Sequence, residues 1–166
     1  MKIDIFDLSF ERDFYYIERK NIVEKITIEN RTLYSKFEKI EEPPTPLLIQ
    51  QHLQGLFVMA LPCSNNGKVD YLIIEYEKEN NDHFYHLIKY LLKSLNITTF
   101  YTYKSSRPNH IQIFIPRNNL KLQDAYDQVE KIEQILEIKS PKRCQILPNK
   151  NLPINHNKIR LPLKKM

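Results

Sequence analysis

The stretch Tyr71-Leu72-Ile73-Ile74-Glu75-Tyr76-Glu77 decides how the second half of this chain is read. It is a short apolar run closing on two acids, the mark of a buried strand whose end reaches polar surroundings. Beyond a polar break, Phe84, Leu87, Ile88, Leu91, Leu92 and Leu95 recur at helical i, i+3, i+4 spacing, with Asn81 or Asp82 to cap the helix and Asn96 to stop it. Ile97 to Tyr103 is β-branched and aromatic, hence a strand, and after the loop Lys104–Asn109 the segment His110 to Ile115 alternates as the other arm of a hairpin. Leu122, Ala125, Tyr126, Val129, Ile132 and Leu136 mark a second amphipathic helix, and Arg143 to Leu147 a last short strand. This βαββαβ order predicts an α+β, ferredoxin-like (RNA-recognition-like) core over residues 70–147, an antiparallel sheet with both helices on one face.

The order carries a spatial consequence. Right-handed crossovers give the strand sequence 4-1-3-2, so the end of the first strand lies beside the beginnings of the third and fourth. Alternation sends Leu72, Ile74, Tyr76, Ile111, Ile113 and Ile115 toward the helices, and Tyr71, Ile73, Glu75, Glu77, His110, Gln112 and Phe114 to the opposite face. Glu75, Glu77 and His110 therefore share one corner with Lys142 and Arg143, which open the fourth strand.

Residues 1–66 read as an annex packing on this core, which with its tail takes residues 67–166, the two making one globular unit. In the annex, Ile26 and Ile28 alternate with polar residues before Glu29-Asn30-Arg31, and Leu33 to Ile40 follows, a β-hairpin pattern. Thr45-Pro46 supplies an N-cap and N1 proline for a short helix ending at Gly55, then comes a buried strand over Leu56 to Leu61 and a turn through Gly67. The tail ends in Ile159-Arg160-Leu161-Pro162-Leu163.

Across 166 residues, 42% hydrophobic and 27% charged, there is enough apolar material for a real core, and the net charge of +5 permits an anionic partner without demanding one. Only two glycines are present, which excludes Gly-rich phosphate loops and dinucleotide fingerprints, so any phosphate must be gripped by side chains. Cys63 and Cys144 cannot form a thiolate zinc site alone and read as small buried hydrophobes; no zinc is expected. The N-terminus lacks the apolar run of a signal peptide and no segment is long enough to span a membrane, making a reducing cytoplasm the expected compartment.

Two carboxylates at i and i+2 on one strand face suit a hard divalent cation such as Mg²⁺ or Mn²⁺, with neighbouring histidine and Lys/Arg side chains for the phosphates. The plainer reading makes the glutamates an exposed strand end and His110 a hairpin residue. His83 and His86 read as solvent-exposed helix residues, and His52 and His156 have no partner at metal spacing.

At these residues the chain resembles the archaeo-eukaryotic primase (primase-polymerase) superfamily over about residues 69–163. Tyr71 to Glu77 stands where that family has a hydrophobic strand ending in acid-x-acid. Ser105-Ser106-Arg107-Pro108-Asn109-His110 is similar to its Ser-rich turn leading to a histidine. Glu137 with Ser140-Pro141-Lys142-Arg143, and Asn157 to Leu163, match later segments in order and spacing. The resemblance implies catalysis through Glu75, Glu77 and His110, metal ligation by Glu75, Glu77 and Glu137, and nucleotide contacts from Ser106, His110, Lys142, Arg143, Lys158 and Arg160. It implies a dNTP or NTP as ligand, nucleic acid as a possible second partner, and a place in DNA replication or repair. Where the family usually carries aspartates this chain has glutamates, whose extra methylene moves the carboxylate by about 1.5 Å, which favours binding over nucleotidyl transfer.

The alternative is a non-catalytic RNA- or single-stranded-DNA-binding module that stacks bases on Tyr71, Tyr101, Tyr103 and Phe114 of the open face. That reading requires the face to be bare; the competing expectation is that residues 1–66 cover it. A protein-interaction role has no positive support in the sequence.

Overall fold

A computed structural model describes residues 2–78, 82–139, 144–153 and 156–166, with the backbone course alone for 82–84 and 137–139. The fold is mixed α+β: the described residues form three helices and sheets in which every described strand pair is antiparallel.

The second half contributes β9 (Lys68–Glu77), α2 (Asp82–Ser94), β10 (Tyr101–Ser105), β11 (His110–Lys121), α3 (Leu122–Lys139) and β12 (Cys144–Leu147). These strands lie in the order β12-β9-β11-β10 and are extended by the C-terminal strand β14 (Pro162–Lys165), while β8 (Ser64–Asn65) pairs with the start of β9. Asn66 and Gly67, both at positive φ, make the two-residue turn between β8 and β9, the geometry that Asn-Gly adopts most easily. Asn96, at φ 61°, closes α2 as the Ile97 amide donates back to the Leu92 carbonyl.

Each face of this sheet is covered. On one side Leu72, Ile74 and Tyr76 of β9 join Ile111, Ile113 and Ile115 of β11 against Ile88, Leu92, Val129 and Ile132 of the helices. On the other, Tyr71, Ile73, Tyr103, Phe114 and Leu147 pack against the N-terminal region. That region holds the hairpin β1 (Lys2–Ile5) and β2 (Leu8–Glu11), and β3 (Tyr15–Glu18), β6 (Phe37–Ile40) and β7 (Met59–Pro62). Between β3 and β6 stands a separate hairpin of β4 (Glu24–Ile28) and β5 (Arg31–Ser35), turned by Glu29 and Asn30 at positive φ. The helix α1 (Pro46–Leu53) begins at Thr45, whose hydroxyl accepts from the Leu48 amide.

Several boundaries depart from the pattern in the sequence. Residues 97–100 precede the strand, because β10 begins at Tyr101 and runs on to Ser105, and β11 extends to Lys121 past a register shift after Pro116. The tail is not an appendage of the core: β13 (Lys158–Arg160) pairs with β7 to complete a second sheet, β13-β7-β3-β6, and β14 then joins β10. The tail thus ties the two halves together. A second tie is Arg12, 1% exposed, which forms an ion pair with Asp70 at 2.9 Å and donates to the Pro62 carbonyl. His52, fully buried on α1, is a third. Its Nε2 lies 3.1 and 3.2 Å from the Leu161 and Pro162 carbonyls and its Nδ1 accepts from the Met59 amide, so the proton sits on Nε2.

Cys63 is buried and Cys144 half-buried, both as free thiols, and burial pushes each up to about 12. Among the described residues no helix is long and apolar enough to cross a membrane.

Candidate functional site

Where the open face of β9 and β11 runs out from under the N-terminal sheet, a cleft of about 460 Å³ opens. Its floor carries Glu75 and Gln112, opposite each other in the β9–β11 register; one wall is the edge strand β13, and another is the hairpin end at Tyr34, Ser35 and Lys36. The volume is that of a small-molecule site.

Cations dominate the lining: Lys36, Arg107, Lys158 and Arg160, against the carboxylates Glu18 and Glu75. Alternation along β13 explains two of them. Ile159 enters the core, so Lys158 and Arg160 turn to the other side, where Lys158 Nζ stands 4.8 Å from the Tyr16 ring centroid and 5.3 Å from that of Phe37. The Arg160 guanidinium lies 4.9 Å over Phe37 and pairs with Glu18 at 2.7 Å. Lys158 also donates to the Ser35 hydroxyl at 3.1 Å. Burial, reinforced by Arg160 and opposed by Glu24, draws the Lys158 ammonium down to about 8. His156 is likewise lowered by burial, with Lys158 as the lesser cause.

Glu75, 7% exposed, is already engaged. Its Oε1 accepts from the Ser105 hydroxyl at 2.8 Å, and its Oε2 faces the Arg107 guanidinium at 3.6 Å. Ser105 in turn accepts from the Arg107 amide, so turn, serine and carboxylate form one unit.

Glu77 and His110 stand directly opposite each other across β9 and β11, half-buried and outside the cleft lining. His110 Nδ1 lies 2.8 Å from the Pro108 carbonyl, which can only accept, so Nδ1 carries a proton and Nε2 is the nitrogen left for other contacts. Contact with a phosphate oxygen through Nε2 would need the imidazolium. In the Ser-rich turn Ser105 meets Glu75, while the Ser106 hydroxyl is buried with no hydrogen-bond partner among the described residues. Lys142 and Arg143 lie outside the described residues, as does the Glu137 side chain.

Of the residues singled out from sequence, the cleft therefore brings together Glu75, Lys158 and Arg160. The donor set fits a divalent cation poorly. Glu75 is held by a serine and an arginine, and among the described residues no three of His, Cys, Asp and Glu are grouped to hold a metal ion. The lining also includes Glu18, Tyr34 and Lys36, which sequence reasoning passed over, and Arg107, Gln112 and His156, which it named without giving them a part in the site. Gln112 and Arg107 were within reach, one on the face shared with Glu75 and the other inside the Ser-rich turn. The first three come from a region whose placement on the sheet no local pattern announces.

Residues 1–70 match a family model described as "Domain of unknown function (DUF1882)". The match spans β1 to the start of β9, so it covers the N-terminal elements that wall the cleft and stops before Glu75. Comparison with curated proteins gives no match.

Proposed function

We propose that the chain is a primase-like nucleotide-binding domain with a ferredoxin-like core, and that the cleft beside Glu75 takes the phosphates of a (d)NTP. The observation that carries this reading is the convergence of Lys36, Arg107, Lys158 and Arg160 on one cleft of nucleotide size. Their arrangement on separate elements suits a branched polyanion, and aromatic rings at Tyr34 and Phe37 stand close enough to pack on a base or sugar. The strand order β12-β9-β11-β10 and the order of the motifs along it support the family reading.

In this reading the protein's own cations balance the phosphate charge, and no step is routed through a metal. Binding, without nucleotide transfer, is the activity the residues favour. Base stacking on the sheet face has no support, since Tyr71, Tyr103 and Phe114 are buried and Tyr101 packs with them.

Calorimetric titration with dNTP and NTP, with and without Mn²⁺, tests the proposal on wild type and on Lys158→Met. Wild type is expected to bind without added metal, and the variant about tenfold or more weakly, the loss of one charged hydrogen bond. Affinity should also fall as pH rises past about 8, where the unliganded Lys158 gives up its charge. Absence of binding to wild type under both metal conditions overturns the reading.

A further inference from the structure

The cleft contains more than charge. Two buried polar atoms that border it, Gln112 Oε1 and His156 Nε2, have no hydrogen-bond partner among the described residues. Gln112 is 1% exposed, so bulk water does not compensate. Its orientation is determined by chemistry: the other end of the amide, Nε2, donates to the Arg160 carbonyl at 2.8 Å, and a flipped amide would set two carbonyl oxygens against each other. The unmet atom is therefore an acceptor.

A buried acceptor left unmet is costly, and such atoms in folded proteins call for a specific explanation. Position supplies one here. Gln112 lies across from Glu75, so a carboxylate and an amide stand side by side at the floor, below a rim of cations. A bare phosphate chain would satisfy the rim, but contact with those cations keeps it fully ionised, so that it brings the floor acceptors and no donor. An occupant that completes both must carry negative charge at one end and an N–H or O–H group at the other. His156, whose ring burial keeps neutral, adds an imidazole nitrogen able to meet a second polar atom of the same occupant.

We propose that Gln112, assisted by His156, reads a hydrogen-bond donor on the ligand, making the cleft selective for a phosphorylated compound with a hydroxyl or amino group over an inorganic polyphosphate. This rests on the phosphate-binding reading given above and adds the requirement for a donor. The donor has two sources in a nucleotide, the sugar hydroxyls and the amino group of the base.

The test compares tripolyphosphate, ATP, 2′-deoxy-ATP, 3′-deoxy-ATP and inosine triphosphate by calorimetry on the full chain. For the wild type, ATP is expected to bind about tenfold more tightly than tripolyphosphate, a difference of one buried hydrogen bond. One of the three analogues should lose that advantage: a deoxy analogue assigns the donor to the sugar, and inosine triphosphate assigns it to the base. Gln112→Met, close in size and without an acceptor amide, should bind ATP no better than it binds tripolyphosphate. The wild-type series stands even if that variant folds poorly. If ATP and tripolyphosphate bind wild type equally, if no analogue loses affinity, or if Gln112→Met keeps the preference for ATP, the reading role is overturned and the phosphate site stands. If neither tripolyphosphate nor any nucleotide binds, the phosphate reading falls and this inference falls with it.

Discussion

The two faces of β9 carry the same strand into different surroundings. Leu72, Ile74 and Tyr76 stay in apolar company throughout, against the helices. Tyr71 and Ile73 begin in an equally dry core, but two residues further the same face reaches Glu75 and the charged cleft. The comparison separates two jobs that one strand performs. A face closed by helices along its whole length can only contribute stability, whereas a face closed part of the way ends at a boundary where charge is held in low-dielectric surroundings. That boundary is where a ligand gains most from each contact.

The sharpest way to break this distinction is to alter the helix-facing side. Ile74→Ala removes a fully buried side chain and is expected to lower the unfolding free energy by about 2–5 kcal/mol. Denaturant titration would show the loss, with nucleotide affinity unchanged in the fraction that remains folded. A large effect on affinity would mean that the two faces are not separable.

Arg12 tests the opposite side at the dry end. Its guanidinium is buried between Asp70 and the Pro62 carbonyl, and Arg12→Met would strand these partners. Breaking a buried pair costs roughly 3–5 kcal/mol, reduced here to about 2–3 because Asp70 retains contact with solvent. The measured quantity is again the denaturation midpoint, and a change near zero would mean that this end of the interface is held by apolar packing alone.

How far the sequence spoke for each face follows from the same geometry. Alternation assigns Tyr71 to Tyr76 and Ile111 to Ile115 to the sides they take in the fold, because period two is a local property. The Thr45-Pro46 cap and the Asn96 stop are equally local, and both stand in the fold. What covers the non-helical face is not local. Pairing of β13 with β7 joins residues almost a hundred positions apart, so Lys158 and Arg160 could be named from a motif but not placed beside Glu75. The motif gives its two serines no register, and the bond from Ser105, the last residue of β10, to Glu75 follows from where that strand ends. Arg12 and Lys36 carried no signal, since a lone cation outside any motif looks the same whether it ends in solvent or in a core.

A smaller effect comes from pH. Burial lowers the His52 pKa below its ordinary 6.5, so the ring is neutral in both states above that value and its contribution is complete. As pH falls below 6.5 the unfolded chain takes up the proton first, and stability declines until the folded-state value is passed. A single group of this kind contributes a slope of at most about 1.4 kcal/mol per pH unit. His156 is shifted in the same direction, so the unfolding free energy measured between pH 7 and 5 should fall in wild type and do so less steeply in His52→Ala. An unchanged slope in the variant would remove His52 from the account.

The least perturbing change is expected at Glu75 itself, and it discriminates most finely. Glu75→Gln keeps the shape and retains an oxygen for the Ser105 hydroxyl, giving up only the charge that faces Arg107 at 3.6 Å. With Arg107 about half exposed, that pair contributes little, and a change within about 1 kcal/mol is expected. Affinity then separates two uses of the carboxylate. If the cations alone hold the phosphates, removing a negative charge from the floor and releasing Arg107 strengthens binding by a few-fold, equally with and without Mn²⁺. If Glu75 exchanges Arg107 for a divalent ion when nucleotide arrives, the variant loses whatever Mn²⁺ adds in the wild type. Titration of both proteins under both conditions decides between them, because the two uses predict opposite signs for the same substitution.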